Sequence, residues 1–152
     1  MTEPAFNSQD VHKFYAKHCF NRAWDLIDNP KRSPEENEQM IHLAHASLWH
    51  WSERSDCTDK NLSIGYWQLS RIHSLLGDGL TAGKYAKICL EKTPQNDAFL
   101  LAYAHEALAR AAFMQGDRQR AEEHKTEASR LASEVQDAES RKMLESDLEN
   151  LS

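Results

Sequence analysis

The residues of this chain best suited to chemistry lie in one short stretch, His42-Leu-Ala-His45-Ala-Ser-Leu-Trp49-His50-Trp51. On a helix, with 100° between successive residues, Glu38, His42, His45 and Trp49 form one stripe. Ile41, Ala44, Leu48 and Trp51 form a second, apolar one. Imidazoles at that spacing project side by side, and imidazole is the side chain whose charge changes nearest neutral pH. Beside Trp49 they would line a pocket in which a histidine titrates or holds a ligand. The competing reading sandwiches this helix between neighbours, with the His and Trp rings packed in a core and their nitrogens hydrogen-bonded. Composition leaves both readings open.

A metal at His42 and His45 needs a third ligand, for which His73, His105 and Glu106 are the candidates. His105-Glu106 opens like the H-E-x-x-H helix of zinc proteases, but Ala109 stands where the second histidine must be. No Glu-x-x-His pair of the di-iron kind occurs, and no cysteine pair has zinc-finger spacing. Neither a metal nor a cofactor is assigned. The stretch Gly77-Asp-Gly-Leu-Thr-Ala-Gly83-Lys84 looks like a phosphate loop, yet Asp78 replaces its first glycine and Tyr85 follows the lysine where Ser or Thr belongs. It reads as a turn. No G-x-S-x-G elbow exists, and His18 beside Cys19 is no nucleophile and base, because neighbours on a helix point about 100° apart. No catalytic residue emerges.

The elements that must position these side chains are helical. The chain has 152 residues, enough for one domain, with 40% hydrophobic and 28% charged residues. Five Gly and four Pro leave little material for the turns of an all-β fold. The longest apolar run, from Ala98 to Ala104, is too short to span a membrane. Eighteen basic against twenty-four acidic residues give a net charge of -6, which removes the electrostatic drive for nucleic acid. Neither a membrane nor nucleic acid is an expected partner. Cys19, Cys57 and Cys89 are odd in number and widely spaced, and the N-terminus carries an acid and a proline in place of a secretion leader. Reduced thiols in the cytoplasm are the expectation.

Periodicity and breakers predict seven helices. The first spans about 8–28, on the apolar spacing of Val11, Phe14, Tyr15, His18 or Cys19, Ala23, Leu26 and Ile27. Asn29-Pro30 breaks it, and Ser33-Pro34-Glu35-Glu36 supplies a capping serine, a first-turn proline and a glutamate three residues on. The second helix runs from there through Trp51. Others follow at about 61–76, 80–92, 97–115 and 118–133. Leu144, Leu148 and Leu151 mark a last helix near 137–151.

The chain also repeats itself. Residues 65–78 lie over residues 104–117 without a gap, with Leu69 on Leu108, Ser70 on Ala109, Arg71 on Arg110 and Gly77-Asp78 on Gly116-Asp117. In the same register Ala82 meets Ala121, and Cys89 meets Ala128. This pattern resembles the tetratricopeptide repeat, a helix-turn-helix unit of about 34 residues. The first unit, with Tyr66, Leu69, Ser70, Gly77-Asp78, Ala82, Tyr85, Cys89 and Pro94, matches well. The second departs at Lys125 and Ser133, where an aromatic and a proline are usual, and the wider spacing of the two glycines calls for a long fifth helix. The resemblance implies an all-α single domain of stacked antiparallel helix pairs wound into a right-handed superhelix. Residues 8–54 would be a leading pair, 61–96 and 97–133 the two repeats, and 137–151 a cap.

By the same resemblance, the first helix of each pair lines a concave groove. Ile64, Trp67, Arg71, Ser74 and Leu75 would face it from the third helix, and Tyr103, Glu106, Arg110, Phe113 and Met114 from the fifth. Arg71 and Arg110 would sit side by side near Trp67 and Tyr103, ready to grip an acid while an apolar side chain stacks beside them. Alternatively, Arg71 pairs with Glu106 and only braces the helices. The function implied is a protein- or peptide-binding module with an acidic partner segment, using Trp67, Arg71, Tyr103, Glu106 and Arg110. His42, His45 and Trp49 would extend that surface, or form a histidine-lined ligand or metal site of their own. A homodimer is a further expectation, because short repeat arrays bury their ends by pairing.

Overall fold

The computed structural model describes residues 6–151; the stretch 1–5, read above for a leader, and residue 152 lie outside them. Among the described residues there are seven helices and no strand. They are α1 (Ser8–Ile27), α2 (Pro34–Glu53), α3 (Asp59–Leu75), α4 (Gly79–Lys92), α5 (Ala98–Met114), α6 (Arg118–Ala132) and α7 (Ala138–Glu149). None is long and apolar enough to cross a membrane.

Side chains that satisfy the first backbone amides set the helix starts. The expected capping box at Ser33 and Glu36 forms, with Pro34 in the first turn of α2. A second box, Thr58 with Asn61, begins α3 two residues before the expected position. Asp78, Asp97, Asp117 and Asp137 cap α4 to α7 in the same way. The repeated Gly-Asp dipeptide thus has two jobs. Gly77 (φ +80°) and Gly116 (φ +77°) take the left-handed conformation that closes α3 and α5, and the aspartate after each opens the next helix. At both turns the aspartate amide bonds back five residues, to the carbonyls of His73 and Ala112. The phosphate-loop look-alike is one of these turns. The fifth helix, expected to be long, has 17 residues, as has α3.

Neighbouring helices pair as α1 with α2, α3 with α4 and α5 with α6. The contacts are made by small side chains, which lets the backbones approach closely. Ser70 and Ala109, Ala82 and Ala121, and Cys89 and Ala128 are all buried. The Ser70 hydroxyl donates to the Ala82 carbonyl at 2.8 Å, and Ser47 donates to Ala16 across the first pair at 2.7 Å. Gly65 of α3 lies against Leu48 of α2 so tightly that a Cβ there would come within 2.5 Å of Leu48 Cδ1. Two apolar clusters result. One joins Ala23, Ile27, Met40, Ala44, Leu48, Leu69 and Ile72; the other joins Leu101, Ala102, Ala128, Leu131, Leu144 and Leu148.

The buried face of α1 differs from the expected one. Ala16, Cys19, Ala23 and Ile27 form it, whereas Phe14, Tyr15 and His18 are exposed. The physical reason is the close crossing with α2, which admits an alanine or a cysteine and displaces a ring. Likewise α2 is not sandwiched by two full faces. It buries Met40, Ala44, Ser47 and Leu48, and leaves Glu38, His42, His45 and Trp49 in solvent.

Two helix pairs are bridged by imidazoles, His12 to His50 with Nδ1 atoms 2.9 Å apart and His105 to His124 with Nδ1 atoms 3.0 Å apart. In each bridge one nitrogen donates and the other accepts, so both rings cannot be protonated. Burial foremost holds the pKa values of His50, His105 and His124 below the ordinary imidazole value. For groups lowered in this way the stability is complete above the unfolded-state pKa and is lost as pH falls below it. Thermal unfolding should therefore show a melting temperature that drops between neutral pH and about pH 5. The drop should be shallower in the variant His105→Gln/His124→Gln. In the core, Leu69→Ala should cost about 2–5 kcal/mol in urea unfolding, while the exposed Leu80→Ala should cost less than about 0.5 kcal/mol.

Candidate functional site

Helices α3 and α5 lie alongside each other and, with α1 on one flank and α7 on the other, enclose an open hollow of about 390 Å³. Its wall is a continuous line of aromatic rings. Phe20 meets Trp24 edge-on, Trp24 stacks on Trp67 at 5.8 Å, and Trp67 meets Tyr103 edge-on at 5.7 Å. Phe99 closes the line against Tyr103 at 5.1 Å. Ile64 and Leu100 fill the gaps, and Met143 and Asp147 of α7 form the far rim. Behind the hollow, Ser63 shares a hydrogen bond with Thr93 at 2.7 Å, and Thr93 donates to the Cys89 carbonyl. Burial pushes the Cys89 thiol up to about 11, so it is a protonated packing group and no nucleophile.

One turn further along α3, beyond the lining of the hollow, charged residues gather. Arg110 pairs with Glu106 one turn before it on α5, and its guanidinium carbon lies 5.9 Å from the centre of the Trp67 ring. Glu106 is 1% exposed, and burial raises its pKa against the pull of Arg110. The expected brace between Arg71 and Glu106 is therefore made by Arg110. Arg71 is half-buried and makes neither a hydrogen bond nor an ion pair to any described residue. Desolvation and the neighbouring Arg110 lower its pKa, whereas Glu106 and Asp147 act in the opposite direction. These four charges are thus near enough to act on one another. Tyr103 donates to Asp147 Oδ2 at 2.7 Å, and burial with that carboxylate lifts its phenol well above the usual range. Three buried polar atoms remain without a partner here, namely Trp67 Nε1, Glu106 Oε2 and Arg110 Nη1.

Of the five residues expected from α3 and α5, Trp67 and Tyr103 line the hollow, whereas Arg71, Glu106 and Arg110 cluster beside it and are not part of its lining. The flanking assignments fare differently. Leu75 packs in the cluster of α1, α2 and α3, and Met114 lies against the start of α4 beside Gly79. The second-helix stripe is apart from the hollow and does not act as one unit. His45 meets the Tyr85 ring, on which His73 stacks at 5.6 Å, while Trp49 turns to His12 and His50. Partial desolvation and then the charges of His73, His42 and Lys84 lower the His45 pKa. Among the described residues, no group of three or more His, Cys, Asp or Glu side chains is placed to hold a metal.

Sequence reasoning missed half of the hollow. Phe20 and Trp24 stand four apart on α1, and Met143 and Asp147 four apart on α7, so each pair shares a helix face. That spacing was readable. Which element the face would meet was not.

The ion pair makes a definite prediction. Arg110→Ala leaves a carboxylate buried and unpaired and should destabilise the fold by about 3–5 kcal/mol. The double variant Glu106→Leu/Arg110→Met, which removes both charges and keeps the volume, should cost less than Arg110→Ala alone, as read by urea unfolding. No family model, no curated protein and no solved structure matches the chain.

Proposed function

We propose that this protein is a binding module, similar in plan to tetratricopeptide-repeat proteins, that holds a protein or peptide segment in the hollow between α3 and α5. The observation that carries the reading is the half-buried Arg71 guanidinium, which lacks an ion-pair partner among the described residues and stands one helical turn beyond Trp67 of the aromatic cleft. A cation held partly out of water is costly until an anion meets it. An incoming carboxylate would offset that desolvation and the repulsion from Arg110 at once.

The charge count limits the partner. Arg110 is already matched by Glu106, and Asp147 stands near Arg71 from the α7 side. A single acid is therefore accommodated, whereas a run of acids would meet Asp147 and Glu106. Trp67 and Arg71 are one helical turn apart, about 6 Å along α3. The segment that fits presents a bulky apolar side chain to the rings and a carboxylate a similar distance away. The lining is mainly aromatic and aliphatic, with Asp147 on its rim, which suits a site that fixes orientation with few polar contacts. The histidine-lined alternative on α2 lacks such an enclosed space, because His42, His45 and Trp49 point into solvent.

The test selects binders from a displayed random-peptide library and measures them by calorimetry. Arg71→Ala should weaken a selected peptide by roughly tenfold or more, as expected of a central anchor, and leave the melting temperature nearly unchanged. Phe20→Ala should weaken it through the apolar end. Unchanged affinity in both variants would remove the hollow as the binding site.

A further inference from the structure

We propose that the outer face of α1 and α2 is a self-association surface, on which a second copy of this chain packs its own α1 antiparallel to the first. It is independent of the hollow. Of the large apolar side chains most exposed to solvent, Phe14 (59%), Tyr15 (43%) and Trp49 (56%) belong to this one face. Their rings are linked. Phe14 meets Tyr15 edge-on at 5.0 Å, Tyr15 stacks on His50 at 5.5 Å, and His50 meets Trp49 at 4.9 Å. Among the described residues nothing covers them, and monomeric proteins rarely leave large contiguous apolar patches in water. Aromatic side chains dominate the centres of protein interfaces, since they bury much area at little entropic cost.

The charges around the patch identify the occupant. On the exposed stripe of α1, Asp10 precedes Phe14 by four residues and Lys17 follows it by three. Asp10 and Lys17 are both exposed, and neither joins an ion pair with another described residue. About a two-fold axis between Lys13 and Phe14, residues equally far before and after the axis face each other. Asp10 of one copy then meets Lys17 of the other, and Lys17 meets Asp10. The stripe is complementary to itself when reversed. A parallel partner would instead set Asp10 on Asp10 and Lys17 on Lys17. An unrelated partner has no cause to match this arrangement of acid, ring and base.

Sedimentation velocity over a range of protein concentrations tests the idea. The wild type should shift reversibly from monomer to dimer, and Phe14→Ala/Trp49→Ala, which removes only exposed rings, should remain monomeric with an unchanged circular dichroism spectrum. Asp10→Lys and Lys17→Asp should each weaken the dimer, and the combined variant Asp10→Lys/Lys17→Asp should restore it. A monomer at every concentration overturns the proposal. A dimer that persists without the two rings overturns it too, by placing the contact elsewhere. A combined variant no better than either single one overturns the antiparallel arrangement.

Discussion

The close approach of paired helices governs the rest of this structure. Where α1 meets α2, α3 meets α4 and α5 meets α6, the crossing points are alanine, serine or cysteine, with Gly65 tight against Leu48 between pairs. Interiors are packed as densely as organic crystals, so a crossing built on a methyl group has no room for a ring. The aromatic residues must go elsewhere. Phe20, Trp24, Trp67, Phe99 and Tyr103 gather on the inner side, where they wall the hollow; Phe14, Tyr15 and Trp49 are left on the outer side of the first pair. Both surfaces that carry a functional argument thus follow from one packing rule.

Beside the hollow, four charges balance one another. Arg110 and Glu106 lie on one helix, four residues apart, and their pairing lets an almost fully buried carboxylate persist. Arg71 comes from the neighbouring helix and Asp147 from α7, which approaches from the other flank. In a region of low polarity such charges act on each other strongly, and any change to one is felt by the other three. The Tyr103 hydroxyl ties Asp147 to the aromatic wall, so the last helix helps to shape the site.

The sequence was informative wherever the signal was local. The Ser33 box, the Gly-Asp turns and the seven helices are short-range features, and each was legible within one or two residues save at α3, where Thr58 and Asn61 form a box of less usual composition. The gap-free repeat placed Arg71 and Arg110 in equivalent positions, and the two charges lie near enough to act on each other. What could not be read was which face of a helix would be buried. Periodicity finds an apolar stripe but cannot weigh a ring against an alanine at a crossing, so Cys19, Ala23 and Ile27 of α1 and Ala44 and Leu48 of α2 are buried as expected, whereas Phe14, Tyr15 and His18 are exposed. The contributions of α1 and α7 to the hollow depend on contacts far apart in the chain, for which spacing within a helix has no information.

The first helix pair is closed differently from the other two. Its turn has no left-handed glycine; instead Arg32 reaches back over the end of α1, where one Nη donates to the carbonyls of Leu26, Ile27 and Asn29 while Nε donates to Asn37. A guanidinium clip is held by a flexible side chain rather than by backbone conformation, so it can detach without rearranging the chain. The end of α1 is thus closed by a mobile side chain working beside the backbone bonds of Asp28 and Asn29 and the Asn29–Glu36 contact, so losing Arg32 would free the Leu26 and Ile27 carbonyls and leave those other bonds in place.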